Sequence, residues 1–180
     1  MKGGSSVEEN ILYSINEQAT KFYQDQLSKS EQAQNYLKQR NINEESIKSF
    51  KIGFSGTEDE LFNYLIQKGY TTEQIESTKL CVKNVDGKYV DKYKNRIIFP
   101  VVNKEEKIVA LGSRAIDDST TPKYINGAET AIYTKSDNLY GINIAKKYCK
   151  DKLILVEGYI DVISLHQRGI KNVVALLGIS

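Results

Sequence analysis

Residues 153–161 of this 180-residue chain read Leu-Ile-Leu-Val-Glu-Gly-Tyr-Ile-Asp. The four apolar residues at the start of this stretch predict a strand buried on both faces, and the apolar run at residues 173–177 predicts a second one. Between them, residues 160–168 have the composition of a short helix, and Gly169 stands where a left-handed helix end is expected. Together these elements predict one β-α-β unit with parallel strands and a right-handed crossover.

Two carboxylates lie at the start of that helix. Glu157 directly follows the first strand, and Asp161 falls in the first helical turn. Ligands of open α/β sheets bind beyond the carboxyl ends of the strands, so Glu157 is placed to hold a divalent cation against a phosphate. Gly158 permits a sharp turn or a close approach of backbone to substrate. The spacing alone leaves an alternative equally open, with Glu157 as a solvated strand-end residue and Asp161 as a favourable charge at a helix start.

The chain before residue 150 predicts helices first and hairpins afterwards. Residues 1–10 are expected to be a leader, although residues 6–9 also have the capping-box pattern that begins a helix. Apolar spacing of three to four predicts that helix and the ones after it, at residues 32–40, 44–50, 61–68 and around 75, with a loop marked by Gly53 and Gly56. Hairpins are predicted at residues 80–90 and 96–113, an irregular stretch at 117–138, and a helix at 139–149. Pro100 cannot donate a ladder hydrogen bond, so it is expected at a sheet edge or bulge.

Charge is unevenly distributed along the chain. Residues 1–82 carry 9 basic and 12 acidic side chains, whereas residues 83–152 carry 14 basic and 9 acidic ones. The middle third is therefore where contact with a polyanion is expected.

Several classes of protein are disfavoured by composition. The two cysteines lie far apart and His166 is the one histidine, which argues against a disulfide framework, a zinc site and a histidine-dependent triad. His166 is expected to be a partly exposed helix residue. No apolar run approaches the ~20 residues of a membrane helix, and no signal peptide begins the chain. A protein of the reducing cytoplasm, without a membrane partner, is expected.

The motif at residues 156–161 resembles the opening motif of the TOPRIM fold as it occurs in DnaG-type bacterial primases. Residues 175–180 resemble the second-strand motif that follows it. Upstream, six further segments are similar to primase landmarks and occur in the same order, at residues 36–40, 51–54, 95–100, 111–114, 121–126 and 139–141. The resemblance covers residues 10–180, and the chain is similar to the N-terminal part of the primase RNA-polymerase domain.

This resemblance implies an α+β fold in two parts. A helical and small-sheet basic subdomain, residues 11–150, is followed at residues 151–180 by the first β-α-β unit of a TOPRIM (α/β) fold. The TOPRIM fold is therefore expected to be truncated in this sequence. The implied activity is nucleotidyl transfer, the template-directed synthesis of short RNA primers on single-stranded DNA for replication, with Mg²⁺ or Mn²⁺. The implied partners are the DNA template, ribonucleoside triphosphates and a replicative helicase bound through a domain outside this chain. Zinc belongs only to a separate module of the family.

The resemblance also assigns residues to the site. Glu157 matches the TOPRIM glutamate, a metal ligand or general acid/base, and Asp161 a neighbouring acidic residue. Positions near the template and incoming nucleotide are matched by Arg96, Lys123, Tyr124, Asn126 and Lys135, and less closely by Arg114. The family's Asp-x-Asp motif on the third TOPRIM strand does not occur, and Ile179 replaces a small hydroxyl residue. The chain alone is therefore expected not to polymerise.

Two other functions remain open at this point. One is a non-enzymatic module that binds single-stranded DNA. The other is a different TOPRIM enzyme, a nuclease or topoisomerase, although residues 121–126 and the lack of a tyrosine-bearing cleavage domain argue against it. Any single lysine or arginine can also be a solvated surface charge.

Overall fold

The computed structural model of the chain describes residues 6–177. Its α-helices are α1 (Val7–Lys29), α2 (Glu31–Gln39), α3 (Glu44–Ser49), α4 (Leu61–Gln67), α5 (Thr72–Ser77), α6 (Ile142–Ala145) and α7 (Tyr159–Gln167). Its strands are β1 (Gly53–Phe54), β2 (Cys81–Lys83), β3 (Tyr89–Asp91), β4 (Arg96–Val102), β5 (Ile108–Ala115), β6 (Tyr124–Ile125), β7 (Leu139–Tyr140), β8 (Ile154–Val156) and β9 (Val173–Leu176). A single 3-10 turn covers Lys135–Asp137. None of the helices in the described range is long and apolar enough to cross a membrane.

The strands form three sheets. One is antiparallel with the order β1-β4-β5-β6, and a second is the β2-β3 hairpin. The third has the order β7-β9-β8, in which β8 and β9 are parallel and β7 is antiparallel to β9. The predicted α+β class and the β-α-β unit at residues 154–176 are both present.

The β4–β5 hairpin separates two hydrophobic cores. Every residue of both strands is buried. Ile97, Phe99 and Val101 face a core that includes residues of β7, α7 and β9, whereas Ile98 and Val102 face a core built mainly from α1, α4 and α5. Successive side chains of an extended strand point to opposite faces of the sheet. One hairpin therefore contributes side chains to the cores of both parts of the chain.

Helix α1 begins earlier than the predicted leader allows. Ser6 and Glu9 form the capping box, each side chain bonding the other's backbone N–H, and the helix runs from Val7. Residues 7–10 are therefore helical, which corrects the leader boundary at residue 10. The prediction of a loop at Gly53 is also wrong, because Gly53 begins β1 directly beneath α1. A Cβ at Gly53 would stand 2.6 Å from Tyr23 Cβ, so glycine permits this contact between helix and sheet.

Pro100 lies where its missing N–H does no harm. The two residues of β1 pair with Ile97 and Ile98, and Arg96 bonds Ser55 through its backbone N and O on that same side. Pro100, four residues after Arg96, faces the same side beyond the end of β1, and a register shift follows at Val101/Val102. The expectation of an edge or bulge position is confirmed.

Two predictions for the C-terminal part are wrong. Leu139 and Tyr140 form a strand on β9 rather than the first turn of a helix, and Gly141 ends it in the left-handed region with φ of 85°. Helix α6 is consequently short. Strand β8 was expected to be buried on both faces, but Ile154 and Leu155 are 42% and 55% exposed. The reason is its position, since among residues 6–177 β8 pairs only with β9 and lies at the edge of the sheet.

His166 is buried rather than partly exposed. It lies in the last turn of α7, 6% exposed, with Nε2 2.9 Å from the Val173 carbonyl oxygen of β9. Its ring meets that of Phe50 edge to face. Burial lowers the pKa of His166, the contact with Val173 partly offsets this, and Lys171 lowers the pKa further. The imidazole therefore fastens α7 to β9 in its neutral form.

We predict that acid weakens the fold partly through His166. Its pKa is lower in the folded chain, so below about pH 6.5, the usual value, the unfolded chain binds a proton that the folded chain does not. The contribution of His166 to the free energy of unfolding is therefore complete above that pH and decreases as the pH falls below it. Replacing His166→Gln should flatten the pH dependence of the unfolding free energy by up to about 1.4 kcal/mol per pH unit. Urea unfolding at pH 7, 6 and 5 measures this, and equal slopes for both proteins would contradict it.

Candidate functional site

The two candidate catalytic carboxylates lie beside one open cleft. Glu157 follows β8 and Asp161 lies in the first turn of α7, and both side chains are exposed. A Cβ added to Gly158 would stand 3.3 Å from Asp161 Oδ2, so this carboxylate lies over the backbone next to Glu157. The cleft has a volume of about 670 Å³, and Tyr124 and Asn126 line it together with the two acidic residues. The structure thus brings four of the predicted residues to one place.

The acidic side of this cleft has the donor type that hard divalent cations prefer. Mg²⁺ is usually held by one or two carboxylates together with water and substrate phosphate oxygens, and Glu157 and Asp161 fit that requirement. Within residues 6–177, no group of three or more His, Cys, Asp or Glu side chains could hold a metal ion. The described residues therefore contribute two candidate ligands.

Arg114 is the centre of a group of cations and aromatic rings, which we call the basic cluster (Tyr36, Arg40, Arg114, Lys123 and Tyr124). The Arg114 guanidinium lies 5.2 Å from the Tyr36 ring centroid and 5.6 Å from that of Tyr124, and its Nε donates to the Tyr124 hydroxyl at 3.1 Å. Arg114 is 3% exposed, and its Nη1 has no hydrogen-bond partner. Because Nη1 is itself enclosed, Arg114 acts on the cluster through its positive charge and through its contact with the two rings.

Arg40 was not among the predicted site residues, although it ends a segment that resembles a primase landmark. It follows α2, where it lies four residues after Tyr36 and places its guanidinium 5.3 Å from the centroid of that ring. Residues four apart on a helix share one face, so the helical periodicity of residues 36–40 could have indicated this pair. Tyr36 thus has an arginine from α2 and another from β5 in cation–π distance.

Asp118 supplies a negative charge to this cluster. Its Oδ1 lies 3.8 Å from Arg40 Nη2, 3.6 Å from Arg114 Nη2 and 3.6 Å from Lys123 Nζ. The Asp118 side chain is 70% exposed, and exposed ion pairs contribute at most about 1 kcal/mol. Three cations share one carboxylate, so the cluster keeps an excess of positive charge and the carboxylate is easily displaced.

Arg96 supports the loop between β5 and β6 through hydrogen bonds to its backbone. Its Nη2 donates to the Pro122 carbonyl at 2.6 Å and its Nη1 to the Lys123 carbonyl at 3.2 Å, and the residue is 4% exposed. Its guanidinium is therefore engaged with protein carbonyls. The side chain positions Lys123 and Tyr124, and this geometry does not favour the direct phosphate contact expected from the sequence.

Lys135 does not line the cleft that contains Glu157 and Asp161. It begins the 3-10 turn and lies near Lys92, whose Nζ contacts the Asn126 carbonyl at 3.5 Å. The pKa of Lys92 is lowered, first by burial and then by the positive charge of Lys135. The backbone N–H of Lys135 donates to Glu129 Oε1 at 3.2 Å, so the structure places Lys135 apart from the cleft of Glu157 and Asp161.

A cleft with carboxylates after a sheet strand, next to aromatic rings and to cations that outnumber their one carboxylate, is suited to contact with nucleic-acid phosphates and bases. The sequence model of the family described as DNA primase catalytic core, N-terminal domain, matches residues 22–146, and that of the Toprim domain matches residues 151–180. The chain belongs to the DNA primase catalytic core family, as the sequence resemblance implied.

Individual proteins agree with this assignment. The chain is 41% identical over 169 residues to the DNA primase of Clostridium acetobutylicum and 42% identical over 175 residues to that of Rickettsia bellii. A solved structure of the DnaG primase catalytic domain bound to single-stranded DNA is similar with a TM-score of 0.86 and 33% identity. The E. coli primase catalytic core is similar with a TM-score of 0.84 and 34% identity.

These matches include nearly all of this chain and only part of the other proteins. They cover 93% and 96% of this chain, but 28% and 29% of the two primases. For the two structures they cover 96% and 94% of this chain, and 57% and 55% of the other. The chain therefore spans less than a third of the length of its curated relatives.

We predict that removing the Asp118 charge strengthens binding of a polyanion. The replacement Asp118→Asn keeps the side-chain volume and leaves three cations without their carboxylate. Affinity for a single-stranded oligonucleotide should rise roughly two- to fivefold, the equivalent of an exposed ion pair. Fluorescence anisotropy at fixed salt measures it. Asp86→Asn, in the β2–β3 turn, changes the net charge equally and should have a smaller effect. Equal or weaker binding by Asp118→Asn would show that Asp118 organises the cluster instead.

Proposed function

We propose that this chain is part of an enzyme that joins ribonucleotides into RNA primers on a single-stranded DNA template. The observation that carries the proposal is that Glu157 and Asp161 line the same cleft as Tyr124 and Asn126, next to the basic cluster. Relatives named DNA primase, and a similar structure described as bound to single-stranded DNA, support it. Ribonucleoside triphosphates and a replicative helicase are the further partners that this proposal includes, in the bacterial cytoplasm.

The template is assigned to the basic cluster. Arg40, Arg114 and Lys123 offer positive charge to the phosphates, with Arg40 and Lys123 as the exposed members. Tyr124 is 41% exposed, which leaves part of its ring accessible to a base. Such stacking contributes about 1–3 kcal/mol per base and little sequence preference. Phosphate and stacking contacts of this kind position a strand without reading its sequence.

We call residues 157–161, which contain Glu157 and Asp161, the acidic turn, and we assign the catalytic chemistry to it. Glu157, with Asp161 beside it, would hold a Mg²⁺ or Mn²⁺ ion. When bound, such an ion neutralises phosphate charge and lowers the pKa of the attacking hydroxyl. Other residues of this chain position the template. Arg96 supports the Lys123–Tyr124 segment, and the basic cluster binds the DNA strand.

A second function, non-catalytic binding of single-stranded DNA, is favoured by one observation. The described residues provide two acidic side chains at the cleft, and phosphoryl transfer with two metal ions uses more ligands than two. The two functions share the basic cluster and differ in the need for Glu157. Experiments on the two groups of residues therefore separate them.

We predict that single-stranded DNA binding depends on salt and on Lys123. Each phosphate contact on a single strand releases about 0.7 of a counterion, so three contacts give a log–log slope near about −2. Replacing Lys123→Ala should weaken binding and reduce the slope by about 0.7. Fluorescence anisotropy with a labelled single strand over a salt series measures both quantities.

The matched control is Lys21→Ala, which removes an exposed lysine of α1. It should leave the affinity and the slope as they are in the unchanged protein. If both variants bind equally well, or if affinity does not depend on salt, the basic cluster is a solvated surface and the template assignment fails.

We predict that Glu157→Gln abolishes most primer synthesis and leaves template binding intact. The variant keeps the side-chain size and removes the charge that a metal ion requires. In a form of the protein long enough to synthesise primers, the rate should fall at least about a hundredfold. The measurement is incorporation of labelled ribonucleotides with Mg²⁺ or Mn²⁺, with Glu105→Gln in the exposed β4–β5 turn as control. A rate close to that of the control would remove Glu157 from the site.

A further inference from the structure

Tyr159 is the most enclosed side chain of the acidic turn. It is the first residue of α7, two positions after Glu157, and is 3% exposed. Its ring stacks on Phe99 of β4, with the centroids 4.9 Å apart and the planes 5° apart, and it lies edge-on to Tyr140 of β7 at 4.7 Å. Because two rings hold it, the turn that carries Glu157 is fixed to β4.

Gly112 provides the space that the Tyr159 hydroxyl occupies. Phe99 and Gly112 are paired residues of β4 and β5. A Cβ at Gly112 would overlap the Tyr159 hydroxyl oxygen. The aromatic residue of this pair therefore supports the Tyr159 ring, and the glycine opposite leaves room for the hydroxyl to lie over β5 and reach the residue after β6.

The hydroxyl ends on the loop of the basic cluster. It donates a hydrogen bond of 2.7 Å to Asn126 Oδ1, one residue after β6. An amide oxygen can only accept, so the tyrosine hydroxyl is the donor of this bond. Asn126 follows the strand that carries Tyr124, so this bond connects the start of α7 to the end of the predicted template segment.

We propose that Tyr159 is a positioning residue, which fixes the 121–126 loop relative to Glu157 through its hydrogen bond to Asn126. This inference rests on the proposed function and adds to it a residue that contacts neither metal nor template. Arg96 holds the other end of the same loop through the carbonyls of Pro122 and Lys123. The loop is thus fastened at both ends, once to β4 by Arg96 and once to α7 by Tyr159.

The test is Tyr159→Phe, which removes the hydroxyl and keeps the stacked ring. Hydrogen exchange followed by mass spectrometry should show amides of residues 121–127 exchanging roughly five- to tenfold faster, as expected for one lost hydrogen bond. Amides of α7 and β9 should exchange as before. Affinity for a single-stranded oligonucleotide at fixed salt should fall about threefold, because the loop must be ordered on binding.

Variants of the partner residue make the test specific. Asn126→Ala should give the same fast loop exchange as Tyr159→Phe, and the double variant should be no faster, since both remove one bond. Asn126→Asp keeps an acceptor oxygen, so the loop amides of this variant should exchange as slowly as those of the unchanged protein. Tyr70→Phe is the matched control, because the Tyr70 hydroxyl contacts Ser14 Oγ at 2.5 Å in the other core. It should leave the loop unchanged.

Three outcomes decide the matter. Unchanged loop exchange in Tyr159→Phe overturns the proposal. Faster exchange throughout α7 and β9 also overturns it, because Tyr159 then stabilises the whole C-terminal part rather than the loop. If the unchanged protein fails to bind single-stranded DNA, the proposed function fails, whereas loop exchange still decides whether Tyr159 positions Asn126.

Discussion

The pairing of β4 with β5 is the interaction on which the other parts of the molecule depend. Both strands are buried along their whole length, and each face of the hairpin closes a different core. Helix α1 packs on one face, close enough that Gly53 of β1 is in contact with Tyr23. The acidic turn packs on the other face through Tyr159. In β4 the odd-numbered side chains Ile97, Phe99 and Val101 therefore act on the β8-α7-β9 unit, and the even-numbered Ile98 and Val102 act on the helical layer.

Much of this architecture follows from the local sequence. The helix cap at Ser6, the hairpin at residues 96–113 and the left-handed glycine at the end of α7 were all predicted, because each is determined by a few adjacent residues. The errors at Leu139–Tyr140 and at β8 have a different origin. Whether an apolar segment becomes a strand, and how exposed it is, depends on its neighbours in the sheet, which periodicity within the segment does not contain.

The candidate site was predictable in part for the same reason. Glu157, Asp161, Tyr124 and Asn126 were named from motifs, and the structure brings them to one cleft. The stacking of Arg40 and Arg114 on Tyr36, and the Asp118 carboxylate between them, join α2 to β5 and the following loop. Contacts between segments more than 70 residues apart do not appear in a local pattern. The same holds for Arg96, whose burial under the loop turns an expected phosphate ligand into a support.

Strand β8 is an edge strand among residues 6–177, and this has a consequence for how these residues behave in solution. Its backbone pairs with β9 on one side, and apolar side chains of Ile154 and Leu155 face the solvent. An edge of this kind is a template for a strand from another molecule, and natural proteins usually blunt it with charge, proline or a covering segment. Lys150, Asp151 and Lys152 precede this strand with a net charge of +1, and this excess positive charge opposes edge-to-edge association. High salt screens that repulsion, so aggregation of this chain should increase under the same conditions that weaken the proposed contacts with single-stranded DNA.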